Sequence, residues 1–239
     1  MEKLIYLIWT AADDDRDALH DQLLDHCAPR LLERGAAGLE IDVDDGEADV
    51  RPPMPWPADE LPLRACVSLW LDCYDRRGSF EEILADVGQQ RAGYLVSESM
   101  YTEYGGNQHA APRSWPDGER SPGVVMVTLL ERPARMSHAD WIAHWHGIQS
   151  PESEAIQPRT RYVRNAVLWP VTEGAPLYEG IVKEGWPSKQ HVEDPLLFYC
   201  AKDQDELKQN IARMMTSVQG FLELPRIRSQ TLSEYLLKT

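Results

Sequence analysis

Phenylalanine is scarce in this chain: three residues, against eight tryptophans and nine tyrosines. Its aromatic surface therefore lies mostly in rings with a polar handle, which suit pockets for flat ligands as well as core packing. Cysteine is scarce too. Cys27, Cys66, Cys73 and Cys200 include no C-x-x-C pair. In a chain of 239 residues this excludes a disulfide scaffold and implies reduced, mostly buried thiols, as in a cytoplasmic protein. Basic residues are outnumbered, 24 Lys and Arg against 39 Asp and Glu, for a formal charge of −15. No basic footprint for nucleic acid is available, and an anionic membrane surface would repel the chain. The first apolar run, Leu4 to Trp9, is too short for the core of a signal peptide. No run approaches the roughly 18 residues of a membrane span. Gly-rich phosphate loops, a G-x-S-x-G elbow and a haem-attachment motif are all missing. Nucleotide cofactors and serine-hydrolase chemistry are therefore not expected.

What is present supports a folded protein. Hydrophobic residues make up 43% of the chain, enough for a substantial core. Charge is uneven: residues 1–106 carry 9 basic and 23 acidic side chains, residues 107–239 carry 15 and 16. The first part reads as a strand at Lys3–Trp9, then a helix capped near Asp13–Asp15 and broken or kinked at Pro29. A strand follows at Gly38–Val43, then a loop from Gly46 to Pro62 containing five prolines. Next come a strand at Leu63–Tyr74, a helix at Ser79–Gln90 with Phe80, Ile83, Leu84 and Val87 on one face, and a strand at Gly93–Tyr104. A Gly- and Pro-rich linker covers 107–122.

The order then repeats. A strand at Val124–Glu131 leads to a helix from Ser137, re-set at Pro151, and to strands at Arg161–Val171 and Tyr178–Trp186. A short turn at Ser188–Asp194 precedes a helix over Asp203–Val218 with Leu207, Ile211, Met214, Met215 and Val218 inward. Arg226–Leu236 closes the chain as a strand. The expected fold is α+β: two tandem ferredoxin-like β-α-β-β-α-β units, 1–106 and 123–239, packed sheet to sheet.

Candidate chemistry concentrates between Ser137 and Trp169, with three histidines, three tryptophans and three arginines. His144 and His146 are two apart, so on a helix they point about 200° from one another. That geometry disfavours a metal pair, which wants a spacing of four. Trp141, Trp145 and Ile148 form the inward stripe, with one histidine on each flank; each flank is either an acid–base group or ordinary surface. On the following strand, Arg161 and Val163 share one face, Tyr162 and Arg164 the other. Arg164 either presents its donor fork to a carboxylate or enolate, or lies on a solvated edge. Trp169 and Trp186, also in strands, line either a pocket or the core.

Several motifs of the second unit resemble an EthD-type domain of the dimeric α+β barrel superfamily. They are Trp145 followed by Gln149 and Pro151, then Arg161-Tyr162-Val163-Arg164-Asn165, then Tyr178-Glu179-Gly180-Ile181-Val182 before Trp186, then Phe221-Leu222-Glu223 and Thr231 to Tyr235. The resemblance implies a barrel made within one chain by a fused pair of units, and leaves room for a homodimer. It implies a pocket between helices and sheet for a small, possibly aromatic, molecule. The superfamily includes cofactor-free monooxygenases, isomerases, cyclases and haem enzymes. The family often has histidine where this chain has Gln149, and glutamine does not titrate. His26 is then the expected counterpart in the first unit, with His144 or His146 as substitutes. The resemblance thus implies cofactor-free acid–base chemistry on a carbonyl-bearing or phenolic compound, with His26, His144, His146 and Tyr162 as catalytic candidates. Trp141, Trp145, Gln149, Arg164, Trp169 and Trp186 are the candidates for binding. A non-catalytic ligand binder and a haem-binding member are the alternatives.

Overall fold

The computed structural model describes residues 1–239. Its first half runs β1 (Glu2–Trp9), α1 (Arg16–Asp21), α2 (Ala28–Glu33), β2 (Gly38–Val43), β3 (Leu63–Leu71), α3 (Gly78–Glu81) and β4 (Gln90–Thr102). The second half runs β5 (Val124–Leu130), α4 (His138–His144), α5 (Ser150–Ile156), β6 (Arg161–Pro170) and β7 (Gly180–Trp186). It ends with α6 (Gln190–Glu193), α7 (Pro195–Phe198), α8 (Gln204–Phe221) and β8 (Arg228–Lys238). The strands form one closed barrel in the order β1-β3-β2-β8-β5-β7-β6-β4, every pair antiparallel. Each half contributes four adjacent strands, and the halves meet at two seams, β2–β8 and β4–β6. The face-to-face packing of two separate sheets expected from sequence is therefore replaced by edge-to-edge closure. Closure pairs every strand on both sides and removes the free edges an open sheet must otherwise protect.

Closure also explains why β1 is buried along nearly its whole length. Leu4, Tyr6 and Ile8 face the helices outside, while Ile5, Leu7 and Trp9 face the lumen. Strand alternation makes both faces apolar because both are covered.

The two long helical segments do not stop at their prolines. In each half a wide, π-type turn precedes the proline: Gln22–Cys27 before α2, and Trp145–Gln149 before α5. The Ala28 amide donates to the Leu23 carbonyl, and the Ser150 amide to the Trp145 carbonyl, five residues back. Pro29 and Pro151 then occupy the first turn of a fresh α segment, where a missing amide costs little. The matched prolines fix the equivalence of the halves: Cys27 corresponds to Gln149, Ala28 to Ser150, and His26 to Ile148. Two further expectations are corrected. Ile211 is exposed, and the inward stripe of α8 is Leu207, Asn210, Met214, Ser217 and Phe221. The proline-rich stretch 46–62 is not detached from the core. Ala48 and Val50 are buried in it, and the Ser229 amide of β8 donates to the Met54 carbonyl at 2.8 Å.

The lumen has two ends. One is apolar, built from side chains such as Trp9, Tyr94, Val127 and Ile181. The other holds a charged network, buried except at the mouth, where Glu98 and Glu103 reach solvent. Arg161 donates to Glu234 at 2.7 Å, to Glu40 at 3.0 Å and to Glu103 at 3.1 Å. Lys183 contacts Glu40 and lies 2.5 Å from Asp42, and Lys3 donates to Glu98 at 2.6 Å. Burial pushes the Asp42 carboxyl well up and the Lys183 ammonium well down. Burial alone would also raise Glu234, but Arg161 and Lys183 hold it below the ordinary range.

Arg161 carries two buried carboxylates, Glu40 and Glu234, so its removal strands negative charge in the lumen. Arg161→Met is expected to lower the unfolding free energy by about 3–5 kcal/mol, read by urea denaturation. Adding Glu234→Gln to that variant is expected to restore part of the loss.

Candidate functional site

The layer between helices and sheet differs between the halves. In the first half it is solid, a cluster of 22 buried residues that includes Tyr6, Leu23, Cys27 and Phe80. In the second half it encloses a cavity of about 170 Å³. The cavity floor is the outer face of β5 to β8, with Met126, Tyr162, Val182 and Glu184. Its roof is the π-type turn and α8, with Trp145, Gln149, Met214, Met215 and Phe221. Pro53 and Met54, from the proline-rich stretch of the first half, help to close it. Fifteen of its 21 lining residues are hydrophobic. Unbranched methionines fit such a wall because they adapt to irregular ligands. A larger cavity of about 410 Å³ opens at the charged mouth of the barrel, lined by Glu40, Glu98, Glu103 and Arg161. There the polar groups already satisfy one another, so the apolar cavity is the better small-molecule site.

Tyr162 and Gln149 bring polar atoms to the cavity wall, with Ser150 behind them, and their hydrogen bonds are assignable. Ser150 Oγ donates to the Trp145 carbonyl at 2.9 Å, which uses its only proton. It therefore accepts from the Tyr162 hydroxyl at 3.1 Å and from Arg164 at 3.0 Å. The Tyr162 oxygen in turn accepts from the Trp145 indole at 3.3 Å. Burial raises the Tyr162 phenol, so it stays protonated with a lone pair left for a ligand. Gln149 Nε2 reaches the Met214 sulfur at 3.3 Å, and its Oε1 is buried without a partner.

Glu184 is the one ionisable carboxylate in the cavity wall. Its Oε1 accepts from Arg159 at 2.8 Å. Arg159 is fully buried, also donates to Glu154 at 3.0 Å, and lies 3.8 Å over the Tyr162 ring. Glu184 is thereby fixed beside Tyr162. Sequence reasoning passed over it, although the alternation of β7 was a usable signal. Val182, Glu184 and Trp186 share one face, so a carboxylate stands between two large apolar residues on a surface that must be covered.

The sequence candidates divide between the cavity and elsewhere. Trp145, Gln149 and Tyr162 line the cavity. Trp141 is buried beside it, 5.0 Å from Trp145 between ring centroids, with both rings packed over Gly180. Trp186 stacks behind the wall on Phe198 at 4.3 Å. Trp169 is 44% exposed and contacts Tyr74, away from the cavity. His26 is exposed on the outside of the first half, because it matches Ile148 and not Gln149. His144 packs between α4 and α8: its Nε2–H donates to the Ser217 carbonyl at 2.9 Å and its ring stacks on Phe221. Gly220 leaves room for that ring. His146 lies on the opposite flank beside Arg164, and burial followed by the Arg164 charge lowers its pKa. Arg164 shares the face of Tyr162, as the alternation implied, but does not line the cavity.

The residues present suit neither a metal ion nor haem. Glu40, Asp42 and Glu234 bring ligand oxygens within 4.8 Å of one another, but Lys183 and Arg161 sit among them and neutralise the charge that would draw a cation. Haem does not fit the apolar cavity either. No histidine lines it, and about 170 Å³ is far too small for a four-ring macrocycle.

The chain matches no family model and no curated protein. Solved structures do share its fold. An anthrone oxidase-like protein superposes with a TM-score of 0.54 at 11% identity, over 99% of this chain and 93% of that one. A protein from Lactobacillus acidophilus provisionally assigned as a monooxygenase gives 0.51 at 12%, over 99% and 96%. A protein from Fusobacterium nucleatum with the same provisional assignment gives 0.50 at 7%, over 99% and 92%. The chain thus shares the α+β barrel fold of these proteins. The narrower EthD-type resemblance rests on the sequence motifs alone.

The His144 geometry gives a direct test of its packing role. His144→Ala is expected to cost about 1–2 kcal/mol of stability, seen in denaturant melts, with ligand binding in the cavity unchanged.

Proposed function

We propose that this protein is a small-molecule enzyme of oxygenase type that acts without an organic cofactor on a flat phenolic or carbonyl-bearing compound. Two ferredoxin-like units, 1–106 and 123–239 joined through 107–122, would supply the barrel, and the second would supply the site. The observation that carries the reading is Glu184: a carboxylate held by Arg159 in an otherwise aromatic and methionine-lined cavity. Such a carboxylate is a general base placed where an acidic C–H or O–H of an aromatic ketone would lie. Tyr162 offers its remaining lone pair to a substrate hydroxyl, and Gln149 an amide to a carbonyl or hydroxyl. Trp145 and Phe221, both in the roof, pack on one face of the ring system.

The chemistry balances without a further reductant. Glu184 takes a proton from a methylene flanked by aromatic rings and a carbonyl-conjugated system, leaving a carbanion. Dioxygen oxidises that carbon: CH2 becomes C=O with one oxygen atom retained, and the other leaves as water. The substrate supplies all four electrons. The fold shared with an anthrone oxidase-like protein supports this substrate class. The histidines of the sequence reading have no part in it, because none lines the cavity.

Oxygen uptake with an anthrone or a comparable phenolic ketone tests the proposal. Glu184→Gln is expected to reduce kcat/KM about 10²-fold or more while the substrate still quenches Trp145 fluorescence. Full turnover in that variant would remove Glu184 from the reaction. One observation favours a second reading, a ligand binder without turnover: Gln149 stands where the family often has a titratable histidine. Tight binding of such compounds with no oxygen consumption would establish it.

A further inference from the structure

We infer that Arg164, with His146, Ser99 and Tyr101, forms a binding site for a small oxyanion on the flank of the second half, outside the apolar cavity. Arg164 is 93% buried by the measure of its 7% exposure, yet no carboxylate pairs with it. The other buried arginines are all compensated. Arg64 meets Asp44, Arg159 meets Glu184 at 2.8 Å, and Arg161 meets Glu234 at 2.7 Å. Arg164 instead donates to two neutral hydroxyls, Ser150 at 3.0 Å and Ser99 at 2.8 Å, and its carbon lies 4.8 Å over the Tyr101 ring. Its Nε–H is buried with no acceptor. A desolvated guanidinium without a counter-charge is costly, and a chain with 39 acidic residues had many chances to supply one.

The surroundings fit an external anion. The neighbouring titratable group is His146, whose Nε2 is also buried and unpartnered. Ser99 and Arg164 are register partners across the β4–β6 seam, and His146 and Ser150 overhang them from the π-type turn and the start of α5. Ser99 and His146 are only half buried, and Tyr101 is 36% exposed, so the group is reachable from solvent. Beyond its two present bonds the guanidinium keeps three N–H donors, the fork that grips a carboxylate or phosphate. Occupancy would also reach the cavity wall, because Ser150 accepts from both Arg164 and Tyr162.

The test titrates the whole chain with acetate and, separately, with inorganic phosphate at constant ionic strength. The readouts are melting temperature and the His146 ring NMR signals, assigned through a His146→Asn variant. A single saturable site is expected, raising the melting temperature about 3–6 °C at roughly ten times Kd. A response to both anions makes it a general oxyanion site; a response to one names the class. Arg164→Gln is expected to melt no lower than the parent in anion-free buffer and to lose the response, whereas Glu184→Gln keeps it. Should Arg164→Gln fail to fold, Ser99→Ala and His146→Asn are each expected to weaken the anion several-fold. The site is ruled out by no saturable change in the parent, by an unchanged response in Arg164→Gln, or by unchanged affinity in both of the milder variants.

Discussion

Closure of the barrel is the constraint on which the other features depend. Eight strands with no free edge enclose a lumen that side chains must fill, and in which charges set back from the mouth need partners of their own. The charged end of the lumen meets that demand by balance. Lys3, Arg161 and Lys183 face Glu40, Asp42 and Glu234, all of them buried. The pairs cross between halves: Glu40 and Asp42 come from β2, Arg161 from β6, Lys183 from β7. The network therefore fixes the relative register of the halves as well as filling space. Arg161 between Glu40 and Glu234 is the hydrogen-bonded part of this fastening, while burial draws Asp42 and Lys183 toward their neutral forms.

The same closure sets what lies outside. With the lumen packed, a ligand site must form on the outer face, under helices. The first half fills that layer completely, and the second does not. The proline-rich stretch of the first half reaches over to the second, where Met54 helps roof the cavity. Each half thus completes the other: one supplies rigid core and part of a roof, the other the cavity.

Alternation and periodicity made much of this legible. The double-sided burial of β1 and the split of Arg161 from Arg164 follow from a two-residue period alone. Helix geometry set Trp145 on the inward stripe, whereas Gln149 and Tyr162 were singled out by the family resemblance. What failed required knowledge across the chain. A proline ends a helix unless the turn before it widens, and nothing local in Gln22–Cys27 announces that widening. Glu40 and Asp42 look like ordinary surface charges until Lys183 arrives from the far half. His144 and His146 attracted attention as titratable groups, but flanking an inward stripe does not say which neighbour each flank meets. His144 met α8, and His146 met an arginine.

The strongest evidence that the site is built rather than left over comes from comparing the two halves position by position. The same device, a π-type turn followed by proline, presents residues 27 and 28 in one half and 149 and 150 in the other. In the first half the pair is Cys27 and Ala28, small and buried, with the thiol donating to the Ile83 carbonyl at 3.5 Å. Nothing there is left to bind. In the second half the pair is Gln149 and Ser150, whose polar atoms reach Met214, Tyr162 and Arg164. A core position given a glutamine with a buried, unpaired oxygen loses stability unless something occupies the space before it. A shared turn, opposite polarity and an unpaired acceptor are what the proposed ligand site would need: packing given up in the second half and kept in the first.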